Sequence, residues 1–166
     1  GHQAVLLNNG RVLAAGGYNG SLCLTAAMIY DPNTNTWASA AAMAVARCNP
    51  RATLLADGRV LVTGGNTFNG TAISTAELYN PATNTWSTIA PMSTGRTNHA
   101  LVTLNDGRIL ASGGIGAETT AEIYDPATNT WSSVGPMNWG RSRHTMTLLL
   151  DGRVLVAGGT PNNSDP

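Results

Sequence analysis

The sequence predicts an all-β chain of short four-stranded antiparallel blades set side by side as an arc of a propeller. Three observations predict it. Glycine pairs recur at Gly16-Gly17, Gly64-Gly65, Gly113-Gly114 and Gly158-Gly159, at spacings of 48, 49 and 45. Trp37, Trp86 and Trp131 keep step with them, each with Tyr30, Tyr79 or Tyr124 seven residues before and Met43, Met92 or Met137 six residues after. Prolines recur in every unit and no long helical periodicity is present, so helices are not expected.

One unit shows how the strands follow. His99 to Leu104 is a first strand, rich in Leu, Val and Thr. Asp106-Gly107 is a hairpin signal, repeated at Asn9-Gly10, Asp57-Gly58 and Asp151-Gly152, and a type I′ turn with positive φ at both central residues is expected there. Arg108 to Ser112 is the second strand, and Gly113-Gly114 ends it where a backbone approaches too closely for a side chain. After a loop, Ala121 to Tyr124 is the third strand, and the Asp125 to Thr130 segment is a turn. Trp131 begins a short fourth strand, and Pro136-Met137 leads out of the unit. The continuous apolar runs Val60-Leu61-Val62 and Val154-Leu155-Val156 suit sheets buried on both faces, because a sheet with one wet face would alternate.

The glycine doublet, the spaced Tyr and Trp, and the Pro-Met followed by Arg resemble kelch repeats over nearly the whole chain. The Asp-Gly-Arg-Val-Leu and Tyr-Asp-Pro-Ala-Thr-Asn-Thr-Trp segments are similar to bacterial kelch and galactose-oxidase-like propellers. The resemblance implies four-stranded blades, innermost strand first, around a central channel.

The expected boundaries are full blades at 1–46, 47–95 and 96–140, an inner half blade at 141–160 and a tail at 161–166 read as loop or disorder. This is about three and a half blades, fewer than the four to eight of closed propellers. An open arc exposes two apolar blade faces, each comparable to one side of a protein interface, roughly 800 Å². Either the chain is part of a longer propeller, or copies assemble. The expectation is a homo-oligomer, most simply a dimer closing a ring.

Charge is sparse and balanced, with nine Lys plus Arg against nine Asp plus Glu. A neutral chain without a basic run argues against nucleic acid or an anionic membrane as partner. No apolar run approaches the roughly 18 residues of a membrane span. No leader pattern is present, and the compartment is not legible.

Arg47, Arg96 and Arg141 each lie 17 residues before their glycine pair, just ahead of the innermost strand. One reading is a guanidinium ring for an acidic ligand. The favoured reading is a role in every blade, pairing with a neighbouring blade's carboxylates or carbonyls. His2, His99 and His144 are also repeat-equivalent, and unit two has Pro50 there. Equivalent positions in different blades are too far apart to share one ion, so histidines bonded to backbone are expected and no metal or other cofactor. Trp37, Trp86 and Trp131 are expected in the inter-blade core.

Strand direction puts the Asp-Gly and Asp-Pro turns on one rim. The loops after the glycine pairs and between units fall on the other. Between the second glycine and the Tyr there are 12, 13 and 9 residues, so variation gathers on this second rim. Binding residues favour such loops on a rigid scaffold. The candidates are Tyr18, Asn19, Asn66, Phe68, Asn69 and Trp139, with the three arginines beneath. Cys23 and Cys48 fall on the same rim; separate thiols are expected, with a disulfide as the alternative.

No nucleophile, base and orienting group stand together. The expected function is a non-catalytic module for binding a protein or ligand and for self-assembly. Two alternatives are a galactose-oxidase-like copper enzyme and a glycan-binding propeller. The first resemblance implies copper held by tyrosines and histidines with a Tyr-Cys crosslink, yet three of four tyrosines sit at the repeat position and leave only Tyr18.

Overall fold

The computed structural model describes residues 1–161. The expected tail falls almost wholly on 162–166, outside the described residues. The first blade is β1 (Gln3–Leu6), β2 (Val12–Ala15), β3 (Ala27–Asp31) and β4 (Thr36–Ser39). The second is β5 (Arg51–Leu54), β6 (Val60–Thr63), β7 (Ala76–Asn80) and β8 (Thr85–Ile89). The third is β9 (Ala100–Thr103), β10 (Ile109–Ser112), β11 (Ala121–Asp125) and β12 (Thr130–Val134). The last sheet has two strands, β13 (Thr145–Leu148) and β14 (Val154–Ala157). Every sheet runs antiparallel in sequence order, and the first strands β1, β5, β9 and β13 lie against one another along the arc.

The four inner hairpins depart from the expected turn. Only the glycine of each pair has positive φ: 80° at Gly10, 86° at Gly58 and 83° at Gly107 and Gly152. Gly10 N–H donates to Leu7 C=O at 3.0 Å, and Leu7 N–H to Arg11 C=O at 2.8 Å. This is a three-residue loop, a type I turn closed by a glycine bulge. The Asx residue stays right-handed because its carboxylate or amide accepts the backbone N–H two residues on, as Asp106 does from Arg108 at 3.0 Å.

Blades stack through alternate side chains of each strand. Leu13, Ala15 and Ala27 on one face of the first blade meet Val60, Val62 and Tyr79 of the second, with Met43 between them. Leu61, Ala76 and Leu78 on the second blade's other face meet Ile109 and Tyr124 of the third. That is why β6 can be an unbroken apolar run: all four of its residues are buried. The same run in β14 alternates half-buried and exposed residues, because no blade among the described residues covers its far face. Leu61 is fully buried, whereas its repeat equivalent Leu155 is 53% exposed.

The first glycine of each pair packs against the entry of the following blade. A Cβ at Gly64 would sit 2.3 Å from the Arg96 carbonyl, and one at Gly113 2.5 Å from that of Arg141. A Cβ at Gly158 would meet nothing within 4 Å among the described residues. Trp37 corrects the expectation of core burial. It is 53% exposed, because the face of the first blade that it occupies has no neighbour. Trp86 and Trp131, on the equivalent face of their blades, pack against the inter-blade clusters.

Candidate functional site

The arginines are the deepest polar groups. Arg47 ties two blades together. Its backbone carbonyl accepts from Gly17 N–H at 2.8 Å and its N–H donates to Leu24 C=O, both in the first blade. Its guanidinium turns into the second blade and donates to the carbonyls of Gly64 at 2.9 Å and Thr75 at 2.7 Å, and to Glu77 Oε1 at 3.0 Å. Glu77 is saturated by the N–H groups of Ala44 and Val45. Arg96 repeats the device one blade on. Gly113 and Thr120 carbonyls accept from Nη1, and Glu122 Oε1 from Nη2 at 2.7 Å, while Glu122 Oε2 accepts from Ser93 N–H. Both guanidinium groups are fully buried, and desolvation holds Arg47 below its ordinary range against the opposing Glu77 bond. The partner carboxylate belongs to the arginine's own blade rather than to a neighbouring one. Among the described residues the Arg141 guanidinium bonds the Gly158 carbonyl alone, at 3.0 Å.

The Nε2 atoms of the two buried histidines bond to hydroxyls of the preceding blade, and the backbone of Arg96 also bonds His99. His99 Nε2 shares a hydrogen bond of 2.8 Å with Thr63 Oγ1 of the preceding blade, and His144 Nε2 one of 3.1 Å with Ser112 Oγ. Burial, followed by the nearby arginine charges, pushes His99 well below the usual imidazole range and His144 down to about 4. His2, on the uncovered face of the first blade, is exposed.

Outer hairpins grip the blade before them. Trp86 Nε1–H donates to Ala41 C=O at 2.8 Å, and Trp131 Nε1–H to Ala90 C=O at 2.9 Å. Asn84 and Asn129, at φ 53° and 55°, accept from the N–H of the same alanines and from the hydroxyls of Tyr79 and Tyr124. Sequence reasoning missed the carboxylates Glu77 and Glu122 as arginine partners.

The variable rim is built differently. Cys23 and Cys48 are joined by a disulfide, correcting the expectation of separate thiols. The backbone bridge Leu24↔Arg47 puts the two next to each other, with Cα atoms 4.9 Å apart. Beside this clamp, Tyr18 and Phe68 stack across the two blades, with ring centroids 6.3 Å apart and 22° between planes. Both rings are more than half exposed. Tyr18 is fixed by its hydroxyl on Gly20 C=O, and Asn19 caps the N–H groups of Ser21 and Leu22. Asn66 is spent internally, on Thr67 C=O, Asn49 and Thr97 Oγ1. Asn69 is exposed in the turn beside Phe68. Trp139 is exposed on the loop into the half blade, two blades from the aromatic pair. The expected set therefore divides: Tyr18, Asn19, Phe68 and Asn69 form one surface, Trp139 stands apart, and Arg47 and Arg96 lie sealed away from solvent.

Repeated stitches inside and unrepeated side chains on one rim define a propeller scaffold that carries its variable chemistry at the loops. The sequence matches the KLHDC2/KLHL20/DRC7 Kelch-repeats domain over residues 1–159, and the chain belongs to that kelch-repeat family. Among solved structures it is similar to a fungal alcohol oxidase of the AA5 family, in complex with copper. The identity is 25% and the TM-score 0.62, over 78% of this chain and 29% of the oxidase chain. The chain thus spans less than a third of that enzyme. A search of the curated proteins finds no match.

A copper centre can be tested against these residues. Tyr30, Tyr79 and Tyr124 give their hydroxyls to asparagines, and both cysteines are in the disulfide. His99 and His144 lie in separate blades on separate hydroxyls. Among the described residues no three His, Cys, Asp or Glu side chains converge. The donor set does not fit a copper site.

Proposed function

We propose that the chain is a non-catalytic kelch module that binds a protein or glycan through the disulfide-clamped rim and self-associates through its open blade faces. The observation that carries the binding reading is the exposed Tyr18–Phe68 stack. Two aromatic rings held side by side on a braced surface offer a flat apolar platform at little entropic cost on binding. The Asn69 amide beside it supplies a polar contact. Self-association is supported by unlike, repeat-complementary ends. Trp37 and Met28 on the free face of the first blade stand where Trp86 and Glu77 meet a neighbour, and Leu155 stands where Leu13 does. Head-to-tail contact of two copies would reproduce an inter-blade interface.

A glycan array, run with the wild-type chain and with Tyr18→Ala and Phe68→Ala, tests the rim. The expected result is selective binding lost in both variants while Trp139→Ala keeps it. Binding unaltered in both, or oxidase activity with copper uptake by the isolated chain, would overturn the reading.

A further inference from the structure

We infer that the groove between the first and second blades, on the rim of the hairpin turns, binds a neutral saccharide. Both blades that form it are complete among the described residues. It lies on the rim opposite the Tyr18–Phe68 platform and does not rest on that reading. Its main chamber has a volume of about 390 Å³, with Leu7, Ile29 and Tyr79 as its apolar lining. A recess of about 250 Å³ shares Leu7, Asn9 and Pro81 with the chamber and adds Asn8 and Asn80.

Departures from the repeat gather at this groove. The other three inner turns carry an Asp two residues before the Arg, and each guanidinium folds back on it, as Arg59 does on Asp57 at 2.7 Å. Asn9 takes that position in the first blade, and a neutral amide does not hold the cation there. Arg11 reaches instead to Asp31 on the third strand, through Nε at 2.9 Å. Both of its Nη groups are then without a protein partner among the described residues, at a side chain 52% exposed beside the groove. The recess recurs between the second and third blades, but with Ala56, Asp57 and Asp125 where the first has Asn8, Asn9 and Asn80. One apolar and two acidic groups are thus replaced by carboxamides in a single place. The Oδ1 atoms of Asn9 and Asn80 cap their turns by accepting from Arg11 N–H and Ala82 N–H. Their Nδ2 groups and the Asn8 amide have no partner among the described residues. What remains free is rich in donors and carries no net charge, since Arg11 offsets Asp31 and Arg59 offsets Asp57. A charged ligand gains little from such a lining. A sugar fits it: its hydroxyl and ring oxygens accept from guanidinium and carboxamide N–H groups, and its C–H faces cover the apolar lining.

Saturation-transfer NMR on the full chain, with lactose, maltose and cellobiose as probes and glucuronate and trialanine as controls, tests the site. At least one disaccharide should bind saturably and more tightly than either control. Asn8→Ala combined with Asn9→Asp gives the first recess the lining of the second and offers Arg11 a carboxylate on its own turn. Affinity should then fall about tenfold to a hundredfold, the range for a bond to a charged group. The urea midpoint should hardly move, because the same residues already form the second blade's turn. Tyr18→Ala should leave the affinity unchanged. No binding by any of the three disaccharides, equal binding by a control, or full affinity in the double variant would overturn the proposal. Binding lost in Tyr18→Ala but kept in the double variant would assign the sugar to the aromatic platform and overturn it as well.

Discussion

Removing the Glu122 carboxylate tests what the buried arginines are for. Glu122→Ala deletes the 2.7 Å bond to Arg96 and the 2.8 Å bond from Ser93 N–H, at side chains 0% and 2% exposed. The guanidinium then keeps only its carbonyl and hydroxyl partners in a dry inter-blade seam. Leaving a buried charge unpaired costs about 3–5 kcal/mol. That is a large share of the roughly 5–15 kcal/mol by which domains are stable. Asp57→Ala is the control, since Arg59 and Asp57 also meet at 2.7 Å but with side chains 36% and 46% exposed. An exposed pair contributes about 0–1 kcal/mol. Urea denaturation followed by tryptophan fluorescence measures both. Should Glu122→Ala fail to fold, Arg96→Met with Glu122→Leu serves instead, because an apolar replacement of a buried pair restores most of the loss. Equal losses for Glu122→Ala and Asp57→Ala, or a well-folded Arg96→Ala, would refute the structural role and return the arginines to candidate ligand contacts.

Other outcomes follow from the same geometry. Gly113→Ala places a Cβ 2.5 Å from a backbone carbonyl and should destabilise far more than Gly158→Ala, which meets nothing; at similar φ of 60° and 67° the backbone strain of about 1–2 kcal/mol is common to both. Urea midpoints of the two variants decide it. Reducing Cys23–Cys48, separated by 25 residues, should lower stability by about 3.5 kcal/mol on the loop-entropy estimate and free the Tyr18–Phe68 platform, read as a midpoint shift with reductant. His99 and His144 titrate below the unfolded histidine value, so the unfolded chain binds protons first as pH falls. Stability should be full above about 6.5 and decline from there toward 4, the His144 value, and His99→Gln should flatten part of that decline in denaturation midpoints measured across this range.

Much of the blade was legible in the sequence because it is repeated. The glycine doublets, the strand order and the two-faced burial of Val60-Leu61-Val62 follow from local chemistry seen several times over. The inner turns were misread because the φ > 0 demand of Asp-Gly was assigned to both residues, while the Asx side chain holds its own residue right-handed. What depends on position along the arc was not legible. Trp37 and Trp86 sit in nearly the same local sequence, yet only one has a neighbour to cover it. The Arg47–Glu77 pair spans 30 residues, and the cysteine pair is brought together by the Leu24↔Arg47 bridge, neither of which local patterns encode. On the rim, loop variability located Tyr18 and Phe68 but not their stacking, and it selected Asn66, whose amide serves the scaffold.

The proposed self-association pairs the free face of the first blade with the free face of the last sheet. Light scattering of the purified chain at micromolar concentration, alongside Leu155→Glu, tests this most directly. A discrete oligomer that falls to monomer in Leu155→Glu is the predicted result. A well-folded, monodisperse wild-type monomer would contradict it.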